Sequence, residues 1–296
     1  MAFDRASIFD AAFLESLKRL RIVARRVPGG GRFAEHRSQD AGGGVDFKDF
    51  RPYSPGDDFR SIDWNIYQRL GKVFLRLYEE LEDLPLYILT DHSKSLYQEQ
   101  PPRIVPSLRA TLALASISLN HHDTVGVFPF SNDVQTLWSP QGGAGKVMHL
   151  ATRLSSLEPG GSTDFAMSLK RLNSMSLRRG LLAVVSDFFD PQGIEAVTAA
   201  LKTVRHRLLL IQLVRPSDRR PELNGDYHLV DCESGESAEV SVTDRLLSRY
   251  TEAYDRFQTG LTDFASKRGA GLLQLDVEQE VAPQLATLFE TGGYVV

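Results

Sequence analysis

From residue 84 to residue 291, short apolar segments alternate with segments of helical periodicity. The apolar segments have the length of strands and lie at 84–91, 124–131, 134–139, 181–189, 207–214 and 272–277. The helical segments lie at 103–120, 143–156, 163–177, 191–204, 244–267 and 281–291, with two further short strands near 226–231 and 239–243. Strands that alternate with helices are typical of parallel sheets with helices on both faces. We therefore predict an α/β fold built on a doubly wound, mostly parallel sheet.

The segment before this region has a different character. Apolar residues at three- and four-residue steps predict an amphipathic helix over 8–27, and glycine triplets follow at 29–31 and 42–44. Weak alternation over 45–50 and 73–78 predicts two short strands on either side of the turn signal Ser54-Pro55-Gly56-Asp57. The sequence thus predicts an N-terminal elaboration over residues 1–82, comprising this helix and a β-turn region, and a main domain over 83–296.

Composition excludes several classes of protein. The chain has 296 residues, 34 Lys and Arg against 38 Asp and Glu, and a single cysteine, Cys232. A lone cysteine suits a reducing compartment, and a net charge of −4 gives no general attraction to nucleic acid. Basic residues cluster over 18–37, but no aromatic residues interleave with them for stacking on bases. The most apolar segment, 208–214, is far shorter than the ~20 residues of a membrane helix. We expect a cytoplasmic protein that neither binds nucleic acid nor inserts into membranes.

Oxygen-bearing side chains follow the predicted strands at three places. Asp91, Ser93 and Ser95 come directly after the first buried strand, Thr163 opens a later helix, and Asp187 follows another buried strand. The carboxyl ends of parallel strands meet at one edge of a doubly wound sheet, which is where such sheets bind ligands. Carboxylates and hydroxyls are hard donors of the kind that Mg²⁺ or Mn²⁺ prefers. These five residues are therefore candidate metal ligands.

A simpler interpretation applies to each of these residues alone. Asp, Ser and Thr after a strand often cap the following helix. The same positions are also compatible with a degenerate site that retains only the fold. The charged Lys94 within the first motif would repel a cation, so we expect its side chain to point outward.

Two motifs carry a resemblance to known families. The pattern Asp91-His92-Ser93-Lys94-Ser95, then Thr163, then Asp187, resembles the metal-ion-dependent adhesion site (MIDAS) of von Willebrand factor A domains. The segments RPYSPGDDFRSIDW and YEELEDLPLYILTDHSKS resemble the bacterial domain of unknown function 58 family. This resemblance implies a von Willebrand factor A-like, Rossmann-like domain. It also implies an adaptor or chaperone-like role beside a MoxR-type AAA+ ATPase.

The resemblance also implies how a metal would be held. Ser93, Ser95 and Thr163 would lie near the ion or contact it, and Asp91 and Asp187 would bind it directly or through water. One coordination position would remain for an acidic side chain of a partner protein. Mg²⁺ keeps several waters readily, so such an exchange of ligands is chemically reasonable.

The run from Pro55 to Trp64 is rich in charged residues. Asp57, Asp58, Arg60 and Asp63 are candidates for a partner-docking surface. We favour a structural alternative, in which Arg60 pairs with a carboxylate and Trp64 anchors the elaboration in an apolar core. Under that alternative, Trp64→Ala would cost roughly 3–5 kcal/mol, as large core truncations do.

Three functions remain open on the sequence. The first is a metal-assisted binding and assembly module for a AAA+ ATPase. The second is a metal-dependent hydrolase that uses Asp91 and Asp187, for which His92 is the only candidate general base. The third is a scaffold without metal. We favour the first, because hydroxyls outnumber carboxylates among the candidate ligands.

Overall fold

The computed structural model describes residues 4–26, 45–54, 57–80 and 85–290, which belong to two units. The large unit comprises Met1–Phe33 and Leu84–Val296, and the small unit comprises Ala34–Asp83. The small unit ends next to the boundary expected between residues 82 and 83. The N-terminal helix, which we grouped with the elaboration, belongs to the large unit because its apolar face packs there. Both predicted glycine triplets lie outside the described residues.

The elements of the large unit follow the predicted alternation. Its helices are α1 (Arg5–Ile8), α2 (Ala11–Arg26), α4 (Ser95–Gln98), α5 (Ile104–Asn120), α6 (Val147–Ser155), α7 (Phe165–Ser174), α8 (Ile194–Lys202), α9 (Pro216–Arg219), α10 (Asp244–Arg268) and α11 (Val281–Glu290); α3 lies in the small unit. Its strands are β3 (Leu86–Asp91), β4 (Val125–Phe130), β5 (Trp138–Gln141), β6 (Leu181–Ser186), β7 (Arg207–Val214), β8 (Gly225–Val230), β9 (Ser237–Val242) and β10 (Gly271–Asp276).

Six of these strands form the central sheet. Their order is β10-β7-β6-β3-β4-β5, and every neighbouring pair is parallel except β4 with the edge strand β5. Renumbered within the sheet, this is the doubly wound order 3-2-1-4-5-6. The order reverses between β3 and β6. Sheets of this kind bind ligands outside the carboxyl ends of the strands at such a point. The predicted α/β fold with a mostly parallel sheet is confirmed.

Apolar residues cover both faces of the sheet because side chains alternate along each strand. On one face, Leu86 and Ile88 of β3 join a cluster that includes residues of α2, α5, α6 and α11. On the other face, Tyr87 and Leu89 join residues of α7, α8 and α10. The central strands β3, β4 and β6 are buried along their whole length, as expected for a sheet covered on both sides.

The N-terminal helix packs on the first of these faces. The Asp10 carboxylate accepts a 2.7 Å hydrogen bond from the Phe13 amide and so satisfies one free N–H of the first turn of α2. Phe13, Leu17 and Leu20 are buried, as their spacing predicts. Arg109 of α5 donates to Asp10 at 2.6 Å and lies over the ring of Phe13, which ties the start of α2 to the main domain.

The strands β8 and β9 do not join the central sheet. They pair with each other in register from Gly225 with Val242 to Val230 with Ser237, and most of their residues are exposed. The turn between them covers residues 231–236. We call this element the β8–β9 hairpin.

The small unit contains an antiparallel pair and one helix. Its strands are β1 (Val45–Pro52) and β2 (Phe74–Glu80), a 3₁₀ turn spans Phe59–Ser61, and α3 spans Trp64–Leu70. Asp63 caps α3 by accepting hydrogen bonds from two amides of its first turn, at 2.8 and 3.0 Å. Gly71 ends the helix at φ 64°, a conformation that glycine adopts at little cost.

The structure corrects the expected role of Trp64. Its side chain is 58% exposed and meets the ring of Tyr67 edge-on, so it is not a core anchor. Trp64 is the first residue of α3, a helix that has no buried residue.

Across the four described ranges, no helix combines the length and apolar character needed to cross a lipid bilayer.

Candidate functional site

Asp91 is the last residue of β3 and is fully buried. Its Oδ1 accepts a 2.8 Å hydrogen bond from the Ser93 amide, and its Oδ2 accepts a 2.6 Å bond from the Ser186 hydroxyl at the end of the neighbouring strand β6. Burial raises the pKa of Asp91 to about 6, and these hydrogen bonds lower it in part. The fold thus holds a carboxylate out of water at the point where the strand order reverses.

A second carboxylate lies beside the first. Asp187 directly follows Ser186, the last residue of β6, and is 7% exposed. It lies near Asp91 because β6 runs parallel to β3 and ends at the same edge of the sheet. Burial raises the pKa of Asp187 to about 7, and the charge of Asp91 contributes to that rise. Neither carboxylate has a salt bridge within 4 Å among the residues that the structure describes, but the charge of buried Arg103, which pairs with Glu99 and Asp218, lowers the pKa of Asp187 in part. Two acids are therefore held together at a cost in free energy that a bound cation would offset.

Two hydroxyls extend the site along the chain. Ser93 is buried, and its Oγ lies 3.1 Å from the Oγ of Ser95, the first residue of α4. The Ser93 hydroxyl also forms a hydrogen bond with Asp91, which lowers the pKa of that carboxyl in part. Carboxylate and hydroxyl oxygens thus converge within five residues, as the motif predicts.

The loop that carries Thr163 is fastened to this turn by backbone hydrogen bonds. The Gly160 amide donates to the His92 carbonyl oxygen at 2.7 Å, and the Lys94 amide donates to the Gly161 carbonyl oxygen at 3.3 Å. Thr163 itself is 4% exposed. The next residue, Asp164, caps α7 by accepting a 2.8 Å hydrogen bond from the Met167 amide. Helix α7 therefore begins immediately after the loop.

Gly160 allows this close approach because it has no side chain. A Cβ added there would lie 2.6 Å from the Ser131 Oγ and 2.8 Å from the His92 Cε1. Both distances are shorter than van der Waals contact, so any larger residue would push the loop away from β3.

An acidic residue that the sequence did not indicate completes the site. Glu233, from the turn of the β8–β9 hairpin, accepts a 2.8 Å hydrogen bond from the Ser95 Oγ through one carboxylate oxygen. Its other oxygen accepts a 3.2 Å bond from the Thr163 amide. One carboxylate thus joins two of the predicted metal-ligand positions, and its charge also raises the pKa of Asp91 slightly.

The two departures from the metal motif, His92 and Lys94, are both directed elsewhere. His92 is 2% exposed, and its Nδ1 lies 3.0 Å from the Glu158 carbonyl oxygen. Burial lowers the pKa of His92, so the ring is neutral at physiological pH. Lys94 is exposed, as expected, and its charge lowers the pKa of Asp231 in the hairpin turn.

The donor set fits a hard divalent cation by its chemistry. It consists of two buried carboxylates without ion-pair partners, together with serine hydroxyls, all of which are oxygen donors. Within the described ranges, no three His, Cys, Asp or Glu side chains are grouped closely enough to hold a metal by themselves. The hydroxyls and water would therefore have to supply part of the coordination, and Mg²⁺ and Mn²⁺ accept such mixed ligation.

The candidate docking residues lie in the small unit and form local contacts. Asp57 accepts 2.7 Å and 2.8 Å hydrogen bonds from the Arg51 guanidinium and the Ser54 amide. Asp58 caps the 3₁₀ turn by accepting from the Arg60 amide. The expected pairing of Arg60 with a carboxylate is not seen in the described part of the chain, because Arg51 takes that role with Asp57.

Two residues of the site were missed by sequence reasoning. Ser186 is not among the predicted ligands, although its hydroxyl donates a hydrogen bond to Asp91. The sequence does contain a signal for Ser186, since its hydroxyl directly precedes the candidate ligand Asp187 at the end of a predicted strand. For Glu233 no signal exists, since nothing in the sequence indicates that a turn 138 residues after Ser95 returns to it.

Comparisons with known proteins identify relatives of this chain. The model of the family described as "Protein of unknown function DUF58" matches residues 49–259. The uncharacterized protein Rv1480 of Mycobacterium tuberculosis is 25% identical over 286 residues, which cover 93% of this chain and 88% of that protein.

Solved structures with a similar fold include two bacterial and archaeal proteins. The conserved hypothetical protein BatB of Bacteroides thetaiotaomicron is 16% identical, with a TM-score of 0.43 over 71% of this chain and 98% of its own. The ArnB paralog VWA2 of Sulfolobus acidocaldarius is 12% identical, with a TM-score of 0.37 over 73% of this chain and 47% of its own. At these scores the assignment of the fold rests on the strand order described above.

The family model covers most of the central sheet and includes both the Pro-Gly-Asp-Asp segment and the Asp-x-Ser-x-Ser motif. The chain therefore belongs to the DUF58 family.

Proposed function

We propose that this chain is a protein-binding module whose site at the β3–β6 edge holds a divalent cation, Mg²⁺ or Mn²⁺, and through it an acidic side chain of a partner. In this proposal Asp91, Ser93, Ser95, Thr163 and Asp187 hold the cation directly or through water. The bound cation supplies a positive charge that attracts and orients a carboxylate. The chain supplies the rigid arrangement of oxygens around it.

One observation carries the proposal. Asp91 and Asp187 are buried side by side with raised pKa values and without an ion-pair partner in the described residues. Such a pair costs free energy in the ionised form, and proteins retain it chiefly where the charge is used. A divalent cation between the two strands would neutralise both charges.

The electrostatics of the site favour an acidic partner. Two carboxylates offset the charge of one divalent cation, and hydroxyls add no charge. A further carboxylate is therefore attracted only by the local field of the ion on its exposed side. Binding of this kind is weak and reversible. It suits a docking function better than a permanent complex.

The identity of the partner is taken from the family resemblance. That resemblance implies a MoxR-type AAA+ ATPase as the working partner, with this chain as an adaptor or chaperone-like component, and we include this partnership in the proposal. A binding site at a sheet edge is compatible with many functions, so the partner has to be tested directly.

The hydrolase alternative lacks support at the site. A metal-dependent hydrolase needs a base that reaches the attacking water, and His92 was the only candidate. Its Nδ1 faces the Glu158 carbonyl oxygen, which leaves Nε2 as the basic nitrogen, but Nε2 is itself buried and not open to an attacking water from solvent. We therefore do not propose a reaction for this chain.

Calorimetric titration with Mn²⁺ tests the metal-binding part of the proposal. The wild type is expected to bind one Mn²⁺ per chain, and Asp91→Asn is expected to weaken binding about tenfold or more. Asp263→Asn is the matched control, because Asp263 is exposed on α10 and pairs with Lys267 at 3.6 Å. Equal Mn²⁺ affinity for all three proteins would contradict the proposal.

The partner is tested by co-purification of the wild type with the MoxR-type ATPase of the same organism, with and without a chelator. The complex is expected to form with Mg²⁺ present and to be lost with the chelator or with Asp91→Asn. A complex that survives both treatments would show that docking does not use the cation.

A further inference from the structure

The β8–β9 hairpin places a carboxylate against the candidate metal site. We infer that Glu233 is an internal ligand, which occupies the position that an acidic partner side chain would take and must leave before a partner binds. This inference rests on the proposed function. It adds a ligand from within the chain and a competition between that ligand and the partner.

The contacts of Glu233 are those expected of a docked acid. It does not contact Asp91 or Asp187 by hydrogen bonds but meets the site on the side of the hydroxyls, through Ser95 at 2.8 Å and the Thr163 amide at 3.2 Å. Ser95 begins α4, and Thr163 lies on the loop before α7. A single carboxylate that reaches both therefore bridges these two segments.

The hairpin turn holds Glu233 in this position through its own hydrogen bonds. The Asp231 carboxylate accepts from the Glu233 amide at 2.9 Å and from the Ser234 hydroxyl at 2.6 Å. The Asp231 amide donates to the Glu236 carbonyl oxygen at 2.8 Å, and Gly235 adopts φ 77°, which closes the turn. The carboxylate is thus presented by an ordered turn rather than by a free side chain.

Two features indicate that the hairpin is built to detach as well as to dock. Its strands are mostly exposed and pair only with each other, so its departure would not open the central sheet. An acid beside Asp91 is electrostatically unfavourable without a cation. The attachment should therefore be stronger when the cation is bound.

Tethering makes this internal ligand effective. A carboxylate on a short connection acts at an effective concentration of about millimolar, which excludes weak acidic ligands. Only a partner that adds contacts of its own would displace it. The hairpin would thus set a threshold for docking.

The test uses the full chain with two substitutions in the hairpin. Glu233→Gln keeps the shape of the side chain and removes its charge. Glu236→Gln is the matched control, because Glu236 is exposed in the same turn and its side chain makes no hydrogen bond or ion pair in the described residues. Two probes are used, Mn²⁺ alone by calorimetry and a fluorescein-labelled tetraglutamate peptide by anisotropy at saturating Mn²⁺.

The inference predicts opposite changes in the two affinities. Glu233→Gln should bind Mn²⁺ about tenfold more weakly, because a ligand is lost. It should bind tetraglutamate about tenfold more tightly, because the open site is more populated. Glu236→Gln should match the wild type in both. Tetraglutamate binding should disappear with Asp91→Asn.

The outcomes separate this inference from the proposed function. If Glu233→Gln matches the wild type with both probes while Asp91→Asn loses Mn²⁺, the internal ligand is excluded and the metal site remains. Tighter Mn²⁺ binding by Glu233→Gln would also exclude it. If the wild type binds no Mn²⁺, the proposed function and this inference both fail.

Discussion

The hydroxyl of Ser186, at the end of β6, donates a 2.6 Å hydrogen bond to the Oδ2 of Asp91, at the end of β3. The same Ser186 oxygen accepts a 2.9 Å bond from the amide of Phe188, a residue with φ 63°. Ser186 therefore fixes both the carboxylate and the turn that follows β6. A single side chain links the two halves of the doubly wound sheet at the candidate site.

Ser186→Ala removes both of these hydrogen bonds. We expect it to lower the free energy of unfolding by roughly 1–3 kcal/mol, because a buried carboxylate oxygen and a buried amide lose their partner. Urea unfolding at neutral pH measures this effect. Ser174→Ala is the control, since the Ser174 hydroxyl is exposed and donates only to the Arg171 carbonyl oxygen within its own helix. A loss no larger than that of the control would contradict the role of Ser186.

Stability should depend on pH through the paired carboxylates. The folded pKa values of Asp91 and Asp187, about 6 and about 7, lie above the ordinary value of 3.8. The folded chain therefore holds more protons than the unfolded chain between about pH 4 and pH 7. Stability contributed by the protonated pair is lost as the pH rises through this window. Buried His92, whose pKa is lowered, has the opposite effect.

The histidine contribution cancels when two proteins are compared. The comparison is between the wild type and the double variant Asp91→Asn/Asp187→Asn, both in the presence of a chelator. As the pH rises from 4 to 7.5, we expect the difference in their free energies of unfolding to shift in favour of the variant by ~2 kcal/mol or more. Urea unfolding across this pH range measures the difference. A difference that does not change with pH would mean that the carboxylates titrate normally.

Gly160→Ala tests the close approach of the Thr163 loop to β3. The new methyl group would collide with Ser131 and His92, so we expect a loss of roughly 1–3 kcal/mol in the free energy of unfolding. Weaker Mn²⁺ binding should accompany it, because the loop moves away from Ser93 and Ser95. Gly145→Ala is the matched control, since a Cβ added at that position would have no atom within 4 Å. Equal stability of the two variants would contradict this packing.

The two tryptophans should differ sharply in their effect on stability. Trp138 is 4% exposed on β5, and Trp138→Ala should cost about 3–5 kcal/mol. Trp64 is 58% exposed, so Trp64→Ala should cost less than about 1 kcal/mol. Urea unfolding of both variants measures the contrast. A large loss for Trp64→Ala would restore its role as a core anchor.

The sequence predicted those parts of the molecule that local pattern determines. The apolar segments that became β3, β6 and β7 are buried on both faces, so their composition alone marks them as central strands. The positions of Asp91 and Asp187 at strand ends followed from the same pattern, because parallel strands end at one edge. Helix α2 was found through its apolar face, although its attachment to the large unit was not.

What could not be predicted depends on contacts between distant segments. Glu233 reaches Ser95 only because the β8–β9 hairpin leaves the central sheet and folds over its edge, and its own sequence resembles any exposed turn. Trp64 illustrates the reverse error. An aromatic residue in a charged segment suggested an anchor, but the helix that it begins has no buried residue.

The most direct test of the metal site is anomalous diffraction at the manganese edge from crystals of the full chain grown with Mn²⁺. We expect one strong peak at the edge of the sheet beside Asp91, Ser93 and Ser95, which is absent from crystals of Asp91→Asn. Well-ordered side chains at this edge without an anomalous peak, in crystals saturated with Mn²⁺, would contradict it.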